Sequence, residues 1–183
     1  EEISKMVIII FFCTRKDEFD EPMDGLVYGT AASLGFAAYE NINYVLHFYN
    51  EPSFEIATIR AYTAVPMHAL CGIMMGFLIA QSIFEKKHNY LNLVLALLIP
   101  VGIHGLYNFS LSSSTISKEI AYLILLIFSV RAYILFKNLK KKQNQSKNLN
   151  KKYFTITLSN FTNAATTVLL IMLGLNYLIS ITL

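Results

Sequence analysis

The chain has 183 residues, 55% of them hydrophobic and 15% charged, with 15 basic against 12 acidic residues and a formal charge of +3. Soluble domains carry about 25% charged residues, so this composition, with a mean hydropathy of +0.48, excludes an ordinary soluble fold and indicates an integral membrane protein. Seven lysines fall between Lys137 and Lys152, a juxtamembrane pattern that argues against a nucleic-acid partner.

Six apolar segments follow in chain order and predict an all-α, polytopic transmembrane bundle: a to about Thr14, b at about 26–48, c at 58–84, d at 90–110, e at 119–137 and f at 163–183. At ~1.5 Å per residue, segment a is too short for a hydrocarbon core of ~30 Å, so it reads as the end of a helix that begins upstream. Cys13 and Cys71 stand in apolar runs without CxxC or Cys/His spacing and read as small buried residues. Residues 137–162, rich in Lys, Asn, Gln, Ser and Thr, read as a flexible linker. The chain thus divides into a motif-bearing core, 1–110, and additional helices in 111–183. The positive-inside rule places the 137–152 loop in the cytoplasm, together with Arg15–Gly25 and Glu85–Asn89, and puts Tyr49–Ala57 and Ser110–Lys118 outside.

Each of the first four segments carries ionisable groups. Segment a opens on EEISK, where helical spacing sets Glu1 against Lys5 at i and i+4 and turns Glu2 away. Segment b contains GFAAYENINY, with Phe36, Glu40 and Tyr44 on one face, Asn41 beside them, and Gly25 and Gly29 as a close-packing GxxxG pair. Segment c reads RAYTAVPMHALCGIMMG: Pro66 precedes His68 and opens a bend beside it, while Arg60 is expected to snorkel to the interface. Segment d reads PVGIHGLYNF, with His104 and Asn108 at i and i+4.

A charge at the bilayer centre costs roughly 2.5–3.5 kcal/mol even on lenient scales, which makes an intramembrane acid a functional-site candidate. Counting helical rise, Glu40 and His104 lie ~21 Å from the cytoplasmic ends of b and d, Glu2 ~20 Å from Arg15, and His68 ~15 Å from either surface. Four segments therefore bring ionisable groups to nearly one depth. An isolated EE is ordinarily solvated and a lone membrane histidine ordinarily bonds a neighbouring helix, but the shared level favours one site. Paired carboxylates suit a general base acting on water. His104 and Asn108 suit donors to an oxyanion, each worth ~3 kcal/mol. Glu40, His68 and His104 equally suit a zinc site with an open position for water, and the sequence leaves metal and metal-free chemistry both open.

EEISK, DEPMDGLVYGTAASLGFAAYENINY, RAYTAVPMHALCG and HGLYNF, in that order, resemble the motif blocks of the PrsW family of intramembrane proteases, relatives of the CAAX prenyl endopeptidases and bacteriocin-immunity proteases. The resemblance covers about residues 1–110. It implies a cell-membrane endopeptidase that cuts a single-pass membrane protein, typically an anti-sigma factor, near the external face. By motif match it assigns Glu1 and Glu2 to the paired glutamates, Glu40 to the FxxxE acid, and His68, His104 and Asn108 to the histidine blocks. EExxK stands where the CAAX relatives carry EExxxR, so the choice of base between Glu1 and Glu2 does not carry over. Neither does the cofactor: the glutamate mechanism needs none, and zinc fits the metalloprotease description. The expectation is an intramembrane protease with catalytic residues among Glu1, Glu2, Glu40, His68, His104 and Asn108. Its rivals are a multi-pass scaffold that uses the same groups to hold helices together and, with no inverted repeat to support it, a proton-coupled transporter.

Overall fold

A computed structural model describes residues 1–46, 54–84, 89–114 and 117–147, and segment f together with residues 148–162 of the expected linker lies outside the described residues. The described residues are all-α. Helix α1 (Glu2–Ile8) runs into a π-helical segment (Ile9–Cys13), followed by α2 (Pro22–Leu46), α3 (Phe54–Tyr62), α4 (Ala64–Phe84), α5 (Asn89–Ser112) and α6 (Glu119–Lys147). Among the described residues, three stretches are long and apolar enough to cross a membrane: Phe54–Phe84, Tyr90–Ser112 and Glu119–Asn144. α2 has 25 residues but is not among them, because Asp24, Glu40 and its Ser, Thr and Asn residues dilute its apolar content.

Local chemistry explains the helix boundaries. Pro22 opens α2, where a missing N–H costs nothing. Asp24 Oδ2 reaches back to accept from the N–H groups of Asp20 (3.0 Å) and Glu21 (2.8 Å), satisfying donors that a helix start leaves free. Segment c is not one helix but two. Pro66 cannot donate to the carbonyl of Tyr62, and the chain breaks at Thr63 between α3 and α4. Lys137–Lys147 is also not part of a flexible linker: it continues α6, because Lys, Leu and Gln are good helix formers and no Gly or Pro interrupts them.

α4 is the central element, packed most extensively on α2 and then on α5. The α2–α4 seam is made of glycines. A Cβ on Gly29 or Gly72 would fall on the other's carbonyl oxygen, and Gly25 and Gly76 stand in the same relation. As the residue number rises along α2 it falls along α4, so the two helices are antiparallel and near backbone contact, the approach that small-xxx-small spacing permits. One face of the core gathers Ile8, Ile9, Ala32, Met75, Ile79 and Ala96, and the other Met67, Cys71, Ile103 and Tyr107. α6 lies outermost, exposing Tyr122, Leu123, Leu126, Ile127, Val130 and Tyr133 as a lipid-facing helix does. Its basic end returns to the start of α2, where Gln143 bonds Glu21 and Leu139 packs on Met23 and Leu26.

Candidate active site

His68 stands one turn before Gly72, so the glycine seam brings α2 directly against its ring. Glu40 on α2 accepts from His68 Nε2 at 2.8 Å, and Phe36, one turn earlier, covers the imidazole at 5.9 Å between ring centroids. From the other side Lys5 of α1 reaches His68 Nδ1 at 2.9 Å. An ammonium can only donate. Nδ1 is therefore the acceptor, and the ring's proton sits on Nε2, where Glu40 receives it.

Lys5 Nζ also donates to Glu2 Oε1 at 2.5 Å, and that same oxygen lies 2.8 Å from His104 Nδ1. A carboxylate beside an ammonium is an acceptor, so His104 Nδ1 carries the proton and its Nε2 presents a lone pair. Glu1 Oε2 lies 3.6 Å from His104 Nδ1 with its side chain 37% exposed. The two imidazoles meet edge to face at 4.9 Å. Glu2, Lys5, His68 and His104 are all buried, Lys5 at 0%. Burying the Glu2–Lys5 pair brings little net stability, but removing one partner costs about 3–5 kcal/mol because it strands the other.

Two sequence expectations change here. Lys5 pairs with Glu2 at i+3 rather than with Glu1 at i+4. Glu2 faces the bundle, where a lysine follows it into the interior, and Glu1 is left the more exposed acid. Arg60 does not snorkel outward. The break at Thr63 lets α3 turn Arg60 over α2, where Nη2 donates to Glu40 Oε2 (2.8 Å), Nε donates to Asn41 Oδ1 (2.7 Å), and the guanidinium stacks on Tyr44 at 3.7 Å. Lys5 and Arg60 were thus missed as site residues. Pro66 four residues after Tyr62 was the available signal for Arg60.

A cavity of about 540 Å³ opens beside this centre, lined by Glu40, Arg60, His68, His104 and Asn108 with an apolar rim that includes Ile59 and Leu111. One water takes about 30 Å³ of liquid volume, so the space admits several waters. Of the residues singled out from sequence, Glu40, His68, His104 and Asn108 border the cavity, while Glu1 and Glu2 stand behind His104.

Donor atoms of Glu1, Glu2, His68 and His104 lie within 4.8 Å of one another. Glu40, which the sequence offered as a ligand with His68 and His104, is not in this set; it sits on the far nitrogen of His68. The donor types suit a divalent cation, and Glu2 Oε2 is a buried oxygen without a hydrogen-bond partner among the described residues. The arrangement nevertheless does not fit one. Both nitrogens of His68 are committed, and Lys5 already holds Glu2 and His68. At ~4 Å and an effective dielectric of ~20, a divalent ion beside that ammonium would meet a repulsion of about 8 kcal/mol, twice the unit-charge value. A water molecule would satisfy Glu2 Oε2 without that cost.

Fold and site together define a polytopic α-helical membrane protein with an acid–imidazole centre enclosed by its helices and open to a cavity of mixed polar and apolar lining. The model of the PrsW family intramembrane metalloprotease matches residues 1–134, and the chain belongs to that family. It is 35% identical over 150 residues to Protease PrsW of Oceanobacillus iheyensis, covering 82% of this chain and 66% of that one. With Protease PrsW of Geobacillus kaustophilus it shares 40% identity over 111 residues, 61% of this chain and 48% of the relative. With that of Bacillus subtilis it shares 38% over 125 residues, 68% and 55%. The chain thus spans about half to two thirds of these relatives' length. No solved structure matches it.

Proposed function

We propose that this chain carries the catalytic centre of an intramembrane endopeptidase that hydrolyses a single-pass membrane protein, of the anti-sigma-factor kind, near the external side of the cell membrane. The observation that carries the reading is the 2.8 Å bond from His104 Nδ1 to Glu2 Oε1, on a ring that borders the same cavity as Asn108.

Glu2 holds the His104 ring and its tautomer, so His104 Nε2 accepts the proton of a cavity water as that water's oxygen bonds to the scissile carbonyl carbon. This departs from the sequence expectation, which made a neutral His104 an oxyanion donor: a ring whose one proton is committed to a carboxylate has none to give at Nε2. Asn108, one turn further along α5, is the donor to the oxyanion, a contribution of about 3 kcal/mol. When the C–N bond breaks, His104 returns its proton to the leaving amine. Glu40, held by Arg60 and His68, forms the opposite polar wall against which the peptide is oriented. No step is assigned to a metal.

The lysines at the end of α6 and the start of α2 lie at one end of the bundle, joined by Gln143 and Glu21, and the positive-inside rule makes that end cytoplasmic. Glu40 lies toward the other end of α2, where Arg60 covers it, which supports access from the external side. The test is co-reconstitution in liposomes with a single-pass substrate, comparing wild type, Glu2→Gln and His104→Ala with and without chelator. Loss of cleavage in both variants and indifference to chelator are expected. Undiminished cleavage by either variant would defeat the assignment.

A further inference from the structure

Lysine is almost never fully buried unless paired, yet Lys5 is 0% exposed at the midpoint of a chain of hydrogen bonds that joins Glu2 to His68. Its ammonium donates to Glu2 Oε1 and His68 Nδ1 and lies 4.9 Å from the centroid of the Phe36 ring. The neighbouring partners are themselves committed: Glu2 Oε1 takes His104, and His68 Nε2 serves Glu40. Withdrawing the ammonium would leave His68 Nδ1 without a donor and Glu2 without a countercharge. Both tautomers assigned above would then be free to change.

We propose that Lys5 is the positioning residue and resident cation of this centre: its ammonium locks His68 as the Nε2–H tautomer, keeps Glu2 the acceptor that orients His104, and stands where a divalent ion would otherwise bind between them. The inference rests on the hydrolytic reading of the same site and supplies the charge that a metal supplies in zinc enzymes of similar ligand chemistry. It disagrees with the metal in the family's description because two of the four grouped donors, Glu2 and His68, already hold a cation. A methionine in place of Lys5 keeps the length of the side chain and removes the charge, while an arginine keeps the charge.

The test uses the full chain in lipid nanodiscs. Wild type equilibrated with zinc and desalted is expected to retain no stoichiometric metal, and one zinc per chain would overturn the proposal. Spectra of ¹⁵N-histidine-labelled protein, with the His68 signals assigned by their loss in His68→Gln, are expected to show one protonated and one unprotonated ring nitrogen. Lys5→Met is expected to shift both and Lys5→Arg to retain the wild-type pattern; identical His68 signals in Lys5→Met would overturn it. Cleavage is expected to fall about 10- to 100-fold in Lys5→Met, as for loss of a charged hydrogen bond, and to recover in Lys5→Arg. Should Lys5→Met not fold, the wild-type metal count and Lys5→Arg still decide. Both spectroscopic and metal readouts need no substrate, so a failure of the proteolytic reading shows separately, as wild type that cleaves nothing.

Discussion

Glu2 and Lys5 form a pair whose burial makes its energetics readable. Their side chains are 4% and 0% exposed and 2.5 Å apart, so solvent screening does not discount the interaction as it does at a surface. Glu2→Gln keeps the shape and one acceptor but strands a buried ammonium, and Lys5→Met strands a buried carboxylate. Each single change should destabilise the protein by about 3–5 kcal/mol. The double variant strands neither charge, and neutral replacements of buried pairs are often tolerated. Its loss should therefore fall well short of the sum of the singles, giving a coupling of at least about 2 kcal/mol, within the range for residues in one network. Denaturation of the three variants and wild type in mixed micelles, at fixed lipid ratio, measures the cycle. Cleavage should stay low in the double variant even where stability returns, because His104 has then lost its carboxylate. Additive single losses would refute the buried-pair description on which the site is built.

Gly72→Val would place side-chain atoms on the carbonyl of Gly29 and against Ser33. Backbone cannot yield as a side-chain tip does, so a cost of at least about 1–3 kcal/mol is expected, and helix displacement of order 1 Å at His68 should lower kcat about 100-fold; calorimetry and steady-state cleavage check both. Asn108→Ala, at an exposed position, should lower kcat about 10²- to 10³-fold with stability unchanged, and an unaltered kcat would remove Asn108 from the oxyanion role. Arg60→Met leaves the Glu40–His68 bond in place but removes charged hydrogen bonds from a pair only 14% and 20% exposed, so stability should fall by about 1.5–3 kcal/mol and kcat/KM by about tenfold.

What the sequence disclosed depended on features that survive reduction to one dimension. Depth is linear in residue number on a helix, so the common level of Glu2, Glu40, His68 and His104 could be computed before their contacts were known. The Gly25/Gly29 pair on α2 was visible for the same reason, since spacing of four fixes one face. Direction is not linear in this way. Whether Arg60 turned out to lipid or in to Glu40 depended on the break at Thr63, a consequence of Pro66 that changes the path of α3 but leaves no mark on hydropathy. The expected Lys5–Glu1 pairing failed because i+3 and i+4 partners are nearly equivalent on an isolated helix, and the choice of Glu2 follows from its facing His104 on α5, a contact 102 residues away. The proton positions on His68 and His104 followed only once both of those contacts were in place. Residues 137–147 look like linker by composition and are helix because nothing in them stops α6.

The central claim is that water in the cavity beside His104 cuts a peptide bond. The direct measurement is cleavage of a reconstituted single-pass substrate in ¹⁸O-enriched water, with the mass of the new C-terminal carboxylate read for wild type and His104→Ala. One heavy oxygen is expected in the wild-type product from a single turnover, and no product above background from the variant. Labelled product from His104→Ala at the wild-type rate, or wild-type product without label, would contradict that claim.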